Sequence, residues 1–286
     1  MKFIRYLRAG KPQLGALKGE HIVSLDHLAP HFTEMRQIAA AAPDELDRLR
    51  ELIDRATPDL ELSSTTLIAP IERPGKYLAI GMNYREHAKE AERLGISTPK
   101  QQLWFNKQTS CIAGPFDDID PGVTEKLDYE VELGVVIGIP AKQVTEENAQ
   151  KHVFGYLVAN DVSARDWQFH SQTFTVGKSF DTHGPIGPCV VTSDEIPNPH
   201  DLGLRCFVND EQRQSSNTSQ LIYNIWQQIA YLSTAFTLET GDLLATGTPE
   251  GIGAGMNPPR FLKSGDIVRC EIDRIGSIVN KVRSRS

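Results

Sequence analysis

Beyond Pro70 the chain is punctuated by short apolar runs at 77–80, 131–139, 154–159, 189–191, 204–208, 243–245 and 267–272, each bounded by Gly, Pro, Asn or Asp. Runs of this length between turn formers read as β-strands. Two stretches of helical character, 84–94 and 219–232, interrupt them. That order predicts an α+β fold with a curled or barrel-like sheet, because an alternating parallel sheet would need a helix after almost every strand. Ahead of Pro70, the segments 2–7 and 21–25 look like small strands. From 43 to 56, Leu46, Leu49, Leu52 and Ile53 recur at helical spacing, with Pro43 at a tolerated first position and Asp44 and Glu45 near the positive end of the dipole. The polar stretch 57–66, carrying Pro58, reads as a linker. The expected organisation is a small N-terminal α/β domain over 1–70 and a larger strand-rich domain over 71–286.

With 286 residues, 40% hydrophobic and 23% charged, the chain can bury a full core. A formal charge of −7 argues against nucleic acid as a partner, since a phosphate backbone requires a basic surface. Lys2, Arg5 and Arg8 interrupt the first apolar stretch, which argues against a signal peptide, and no run is long enough for a membrane span. Cys111, Cys189, Cys206 and Cys270 are widely separated and read as reduced packing residues. A cytoplasmic protein is the expectation.

The segment 126–136 alternates acidic and apolar residues, so a strand there places Asp128, Glu130 and Glu132 on one face. Such a face is either a solvated sheet edge or the start of a cation site. Two features favour the second: the pattern runs directly into Val135, Val136 and Ile137, and Asp161 closes another apolar run. Carboxylates brought together in an interior need protonation or a cation, and oxygen donors favour Mg²⁺, Mn²⁺ or Ca²⁺ over zinc.

Asn83 followed by Glu86 has the form of an N-cap with its return partner, predicting a helix over 84–94. His87 and Glu90 then share one face, where the carboxylate can orient the imidazole as a general base; the plainer alternative is a solvated helix surface. Gly177-Lys178-Ser179 is not a phosphate loop, because Gln172 stands where a glycine is required. Lys178 is better placed to meet a substrate carboxylate or oxyanion. The loop 246–253 carries glycines that let backbone N–H groups approach an anion, and otherwise is a turn. His183 is a candidate for reaching the same pocket, against the commoner structural role of a lone histidine.

Five motifs in order carry a family resemblance: Ile80-Gly81-Met82-Asn83-Tyr84-Arg85-Glu86-His87-Ala88, Asp128-Tyr129-Glu130-Val131-Glu132-Leu133, 160–168, 177–182 and 241–249. Together they make the chain similar to the fumarylacetoacetate hydrolase superfamily. The resemblance implies a mixed β-roll catalytic domain, a homodimer, Glu130, Glu132 and Asp161 as metal ligands, and His87 with Glu90 as the water-activating pair. It implies Lys178, Gln168 and Thr248 as substrate contacts, and Arg85 is a further candidate. Fumarylacetoacetate hydrolase itself carries an additional Asp ligand where this chain has Ile80. The chain therefore resembles the three-carboxylate branch of acylpyruvate hydrolases, oxaloacetate decarboxylases and diketo sugar-acid hydrolases.

The activity expected from this pattern is Mg²⁺- or Mn²⁺-dependent hydrolysis of a C–C bond in a 2,4-dioxo acid, releasing pyruvate. The rivals are an oxaloacetate decarboxylase or another lyase or isomerase passing through the same enolate and, outside enzymes, a binding protein that kept the fold.

Overall fold

All seven apolar runs form strands in the computed structural model, which describes every residue except Leu94, Ile96 and Ser286. The large sheet runs in the order Leu60–Glu61, His21–Ser24, Lys11–Lys18, Lys2–Arg8, Gly184–Thr192, Val153–Asn160, Val131–Ile137, Leu243–Ala245, Tyr77–Gly81 and Leu103–Lys107. Leu243–Ala245 pairs parallel with Tyr77–Gly81, whereas its other neighbour, Val131–Ile137, is antiparallel, so the sheet is mixed. Four antiparallel strands, Glu211–Asn217, Gly203–Val208, Ile267–Ile272 and Gly276–Lys281, form a second sheet.

Val131–Ile137 runs between two apolar layers and is buried along its whole length. Val131, Leu133, Val135 and Ile137 pack into one core, while Val136 faces the other with Leu157, Ala159 and Ala245. Strand alternation puts Glu132 on the same face as Val136, so the sequence has driven a carboxylate into the interior. Any large gain from apolar burial here must absorb the desolvation of that acid.

The N-terminal segment is woven into the large sheet. Lys2–Arg8 pairs with Gly184–Thr192, and the stretch expected to be a linker contributes Leu60–Glu61, paired with His21–Ser24. Thr66–Ile68 also pairs with Lys2–Arg8. Polarity alone misread these residues because an edge strand needs backbone partners more than apolar side chains.

Pro43–Arg55 is helical and buries Leu49 and Ile53. The helix expected over 219–232 is instead a 3₁₀ turn at Thr218–Gln220 followed by the α-helix Ile225–Ala235. Asn224 and Gln227 form a reciprocal capping box that fixes its start. The helix expected over 84–94 spans Arg85–Arg93, while Leu94 lies outside the described residues. Asn83 is not its cap: the side chain donates to Tyr223 O and Thr246 O and accepts from Tyr223 N–H, tying the helix entry to two distant loops.

All four cysteines are buried thiols, as expected of packing residues. Cys206 and Cys270, 64 residues apart in the chain, are cross-strand neighbours with their sulfurs 3.8 Å apart. No described helix is long and apolar enough to cross a membrane.

Candidate active site

The site forms where two central strands end side by side. Val131 lies opposite Asn160 and Glu132 opposite Ala159, and the Asp161 N–H donates to Glu130 O at 2.9 Å. Beyond that point side chains replace the ladder. Asn160 Oδ1 accepts from Glu130 N–H and Gln214 Oε1 accepts from Val131 N–H, each at 3.0 Å. These bonds satisfy backbone donors that would otherwise be buried without partners. The result brings Glu130, Glu132 and Asp161 together, with one oxygen from each lying within 4.8 Å of the others.

Asp128 is not part of that group. The alternation predicted one continuous strand, but the chain breaks after Leu127–Asp128, which pairs with Ser163–Ala164 in a separate ladder. The Asp128 carboxylate accepts from Tyr129, Gly253 and Ala254 N–H and from Arg165 Nε. With its acceptor positions filled, it serves as an anchor for the 253–254 turn.

Three buried cations surround the cluster. Lys178 Nζ lies 2.7 Å from both Glu130 Oε2 and Asp161 Oδ2. Lys107 Nζ contacts Asp161 Oδ1 at 2.6 Å and also donates to Val162 O and Lys178 O. Arg165 spreads its guanidinium over Asp128, Gln168 and Glu130. Burial alone would raise the Glu130 carboxyl, but Lys178 and Arg165 outweigh it and hold the group at about 2.

Glu132 has the opposite environment. Burial, then Asp161 and Glu130, push its carboxyl well above the usual range, and Gly247 N–H is its hydrogen-bond donor at 2.7 Å. Lys107, Lys178 and Arg165 pair with Asp161, Glu130 and Asp128, and Glu132 is the one of these four acids without an ion pair. A hard divalent ion fits this donor set: the cluster is all oxygen, and Glu132 lacks the cationic partner that its neighbours have.

A cavity of about 200 Å³ opens beside the cluster. Glu130 and Glu132 line it, with His87, Glu90 and Lys178. Gln168 and Thr248 line it too, whereas Arg85 does not and stands exposed on its helix. His87 Nδ1 and Glu90 Oε2 are 2.9 Å apart, and both residues are largely buried, so the pair is not the solvated surface that the charged helix sequence allowed. Glu90 also accepts from Gly251 N–H at 3.2 Å.

The glycine loop does bind anions, but the anions are the protein's own. Gly247 serves Glu132, Gly251 serves Glu90 and Gly253 serves Asp128. Gly247 has φ +104° and Gly251 φ +95°, conformations that a side chain would strain.

His183 takes the structural role. It is buried, its Nε2 is 2.9 Å from Asp120 O, its ring stacks on Phe180, and it does not line the cavity. Sequence reasoning missed Lys107. Strand alternation through Leu103, Phe105 and Lys107 was the available signal, since it places the lysine on the face of buried Phe105.

The family model described as fumarylacetoacetate (FAA) hydrolase C-terminal matches residues 76–283. Over 290 residues the chain is 41% identical to oxaloacetate tautomerase fahd2, mitochondrial, of Xenopus laevis, covering 99% of this chain and 90% of the relative. It is similar in structure to a fumarylacetoacetate hydrolase from psychrophilic Exiguobacterium antarcticum, with 34% identity and a TM-score of 0.84 over 100% of both chains. A second structural match is maleylpyruvate hydrolase from Sphingobium sp. SYK-6 in complex with manganese(II) and pyruvate, with 28% identity and a TM-score of 0.83 over 100% of both chains. The motif order, the mixed sheet and these matches lead to one conclusion: this chain belongs to the fumarylacetoacetate hydrolase superfamily and is an enzyme of that superfamily.

Proposed function

We propose that the chain is a divalent-metal-dependent tautomerase that moves a proton at the carbon beside the keto group of a small 2-oxo acid. The observation that carries this reading is the buried His87–Glu90 pair lining one cavity with Glu130 and Glu132. Full-length similarity to an oxaloacetate tautomerase supports the same reaction class. An ion held by Glu130, Glu132 and Asp161, Mg²⁺ or Mn²⁺ by donor type, would supply Lewis-acid polarisation of the substrate's carboxylate and keto oxygens.

With Nδ1–H donated to Glu90, His87 presents Nε2 as its proton acceptor. It takes a proton from C3 of the keto form as the C3–H electron pair becomes the C2–C3 double bond and the C2–O π pair moves onto the keto oxygen, which takes a proton from solvent water, while the imidazolium of His87 returns its proton to solvent. The reverse sequence regenerates the ketone. Lys178 uses two of its three N–H donors on Glu130 and Asp161, which leaves the third for a substrate oxygen.

A second reading is hydrolysis of a 2,4-dioxo acid with release of pyruvate. The maleylpyruvate hydrolase match favours it, and the same His87–Glu90 pair can orient an attacking water. One assay separates the two. Oxaloacetate and acetylpyruvate are offered with Mg²⁺, Mn²⁺ or chelator while enol absorbance and pyruvate are both followed. The tautomerase reading expects metal-dependent keto–enol interconversion without stoichiometric pyruvate, and a loss of about 100-fold or more in His87→Gln. Pyruvate formed together with acetate would establish hydrolysis instead, and an unimpaired His87→Gln enzyme would contradict both.

A further inference from the structure

The cavity has two chemically different ends, and the second one points to a substrate class. Apart from the groups around the carboxylates, its wall is built from Met82, Leu103, Phe105, Phe169, Phe174 and Ile252. The rings form a connected set: Phe105 and Phe174 are 6.0 Å apart and edge-on, and Phe174 and Phe169 are 5.5 Å apart in the same arrangement. Phe169 is 62% exposed although it lines the cavity, so part of its ring is available to cover an apolar group.

Two wall residues are held at a conformational cost. Met82 has φ 53° and Phe174 φ 59°, both in the left-handed region that side chains disfavour. Strain of this kind persists where surrounding structure enforces it and is concentrated at ligand-binding positions.

The charges complete the argument. Among the described residues lining the cavity, the permanent cations are Arg165 and Lys178. Arg165 directs Nε, Nη1 and Nη2 at Asp128, Gln168 and Glu130, and Lys178, held by Glu130 and Asp161, reaches no further along the wall than the Phe105 ring at 5.1 Å, so the stretch of wall away from these cations is that of Phe169 and Phe174. A second carboxylate on the substrate would meet apolar side chains without an ion partner, an unfavourable burial.

We propose that this wall is a binding site for an aryl or bulky alkyl group on C3 of the 2-oxo acid. Such substrates are then preferred over oxaloacetate, whose C3 carries a carboxylate. The inference rests on the tautomerase reading and narrows its substrate class. Phe169 and Phe174 are its specificity determinants.

The test compares phenylpyruvate with oxaloacetate, two acids that enolise at the same carbon and differ in the group attached there. The metal-loaded enzyme is expected to show a kcat/KM about tenfold or more in favour of phenylpyruvate, and Phe169→Ala to shrink that ratio about tenfold, mainly through KM. Saturation-transfer NMR supplies a readout independent of turnover: the phenyl protons receive magnetisation from the wild-type protein and much less from Phe169→Ala. A wild-type preference for oxaloacetate, or equal losses on both substrates in Phe169→Ala, would overturn this inference and leave the tautomerase reading standing. Turnover of neither acid would remove both.

Discussion

Lys107 is a buried cation of the site that no sequence motif named. Its ammonium and the Asp161 carboxylate are both fully buried, and the attraction of Asp161 overcomes the effect of burial to raise the lysine above its ordinary range. Breaking a buried pair costs about 3–5 kcal/mol where the partner charge is stranded, but Asp161 keeps Lys178 at 2.7 Å. Lys107→Met is therefore expected to lower the urea unfolding free energy of metal-free protein by about 1–3 kcal/mol, the cost of losing a hydrogen bond to a buried charge. Adding Asp161→Asn should recover part of it, whereas strictly additive losses would show that the two charges are uncoupled. At this scale the sequence was informative where a motif named a residue: His87, Glu90, Glu130, Glu132, Gln168, Lys178 and Thr248 all line one cavity. Alternation could have put Lys107 on the buried face of its strand, but its pairing with Asp161 and the bracing role of Arg165 were not legible, because each depends on partners far away in the chain. Arg85 shares a motif with His87 but points from the exposed side of the helix, which spacing alone could not reveal.

Among the elements, the loop that follows Leu243–Ala245 does the work of several side chains. Its N–H groups hold Glu132, Glu90 and Asp128, so it positions a cluster acid, the carboxylate paired with His87 and an anchor together. Gly255, just beyond it, lies so close to Glu90 that an added Cβ would collide with the carboxylate. Gly255→Ala is accordingly expected to displace Glu90 from His87 and lower kcat about tenfold or more, with a smaller change in KM. An unchanged kcat would mean that Glu90 does not orient the base. Glycine spacing made the loop's anion-binding capacity legible, but not that the anions would be internal. Helix starts were less legible. Leu221 and Ile222 extend an apolar pattern toward Ile225–Ala235, yet the stronger local signal was the Asn224–Gln227 box. Asn83 had the form of a cap and was recruited by Tyr223 and Thr246 instead.

Across the whole molecule, the short apolar runs located seven strands, because a buried run has little alternative to a ladder, but Gly184–Thr192 extends well beyond 189–191, and the more polar Lys11–Lys18, Leu103–Lys107, Glu211–Asn217 and Gly276–Lys281 carried no such signal. Their order in the sheet was not legible, since pairings such as Lys2–Arg8 with Gly184–Thr192 join distant parts of the chain. Near one such junction lies His183, which burial and then Lys107 lower to about 4. An unfolded histidine titrates near 6.5. Between those values the unfolded chain takes up a proton that the folded chain refuses, so stability falls as pH drops from about 6.5 to about 4. The loss attributable to this group is roughly 3 kcal/mol at the acid end. Denaturant unfolding of wild type and His183→Gln across that interval should give a shallower decline for the variant, and parallel curves would contradict the assignment.

Folding gathers Glu130, Glu132 and Asp161 within reach of one divalent ion, and titrating chelator-treated protein with Mn²⁺ in a calorimeter asks whether they hold it. One ion per chain is expected for the wild type, with a binding constant weakened by a factor of about 100 or more in Glu132→Gln, the acid left without a cationic partner. Absence of binding to the wild type, or equal affinity in Glu132→Gln, would contradict a divalent-ion site built by these three acids.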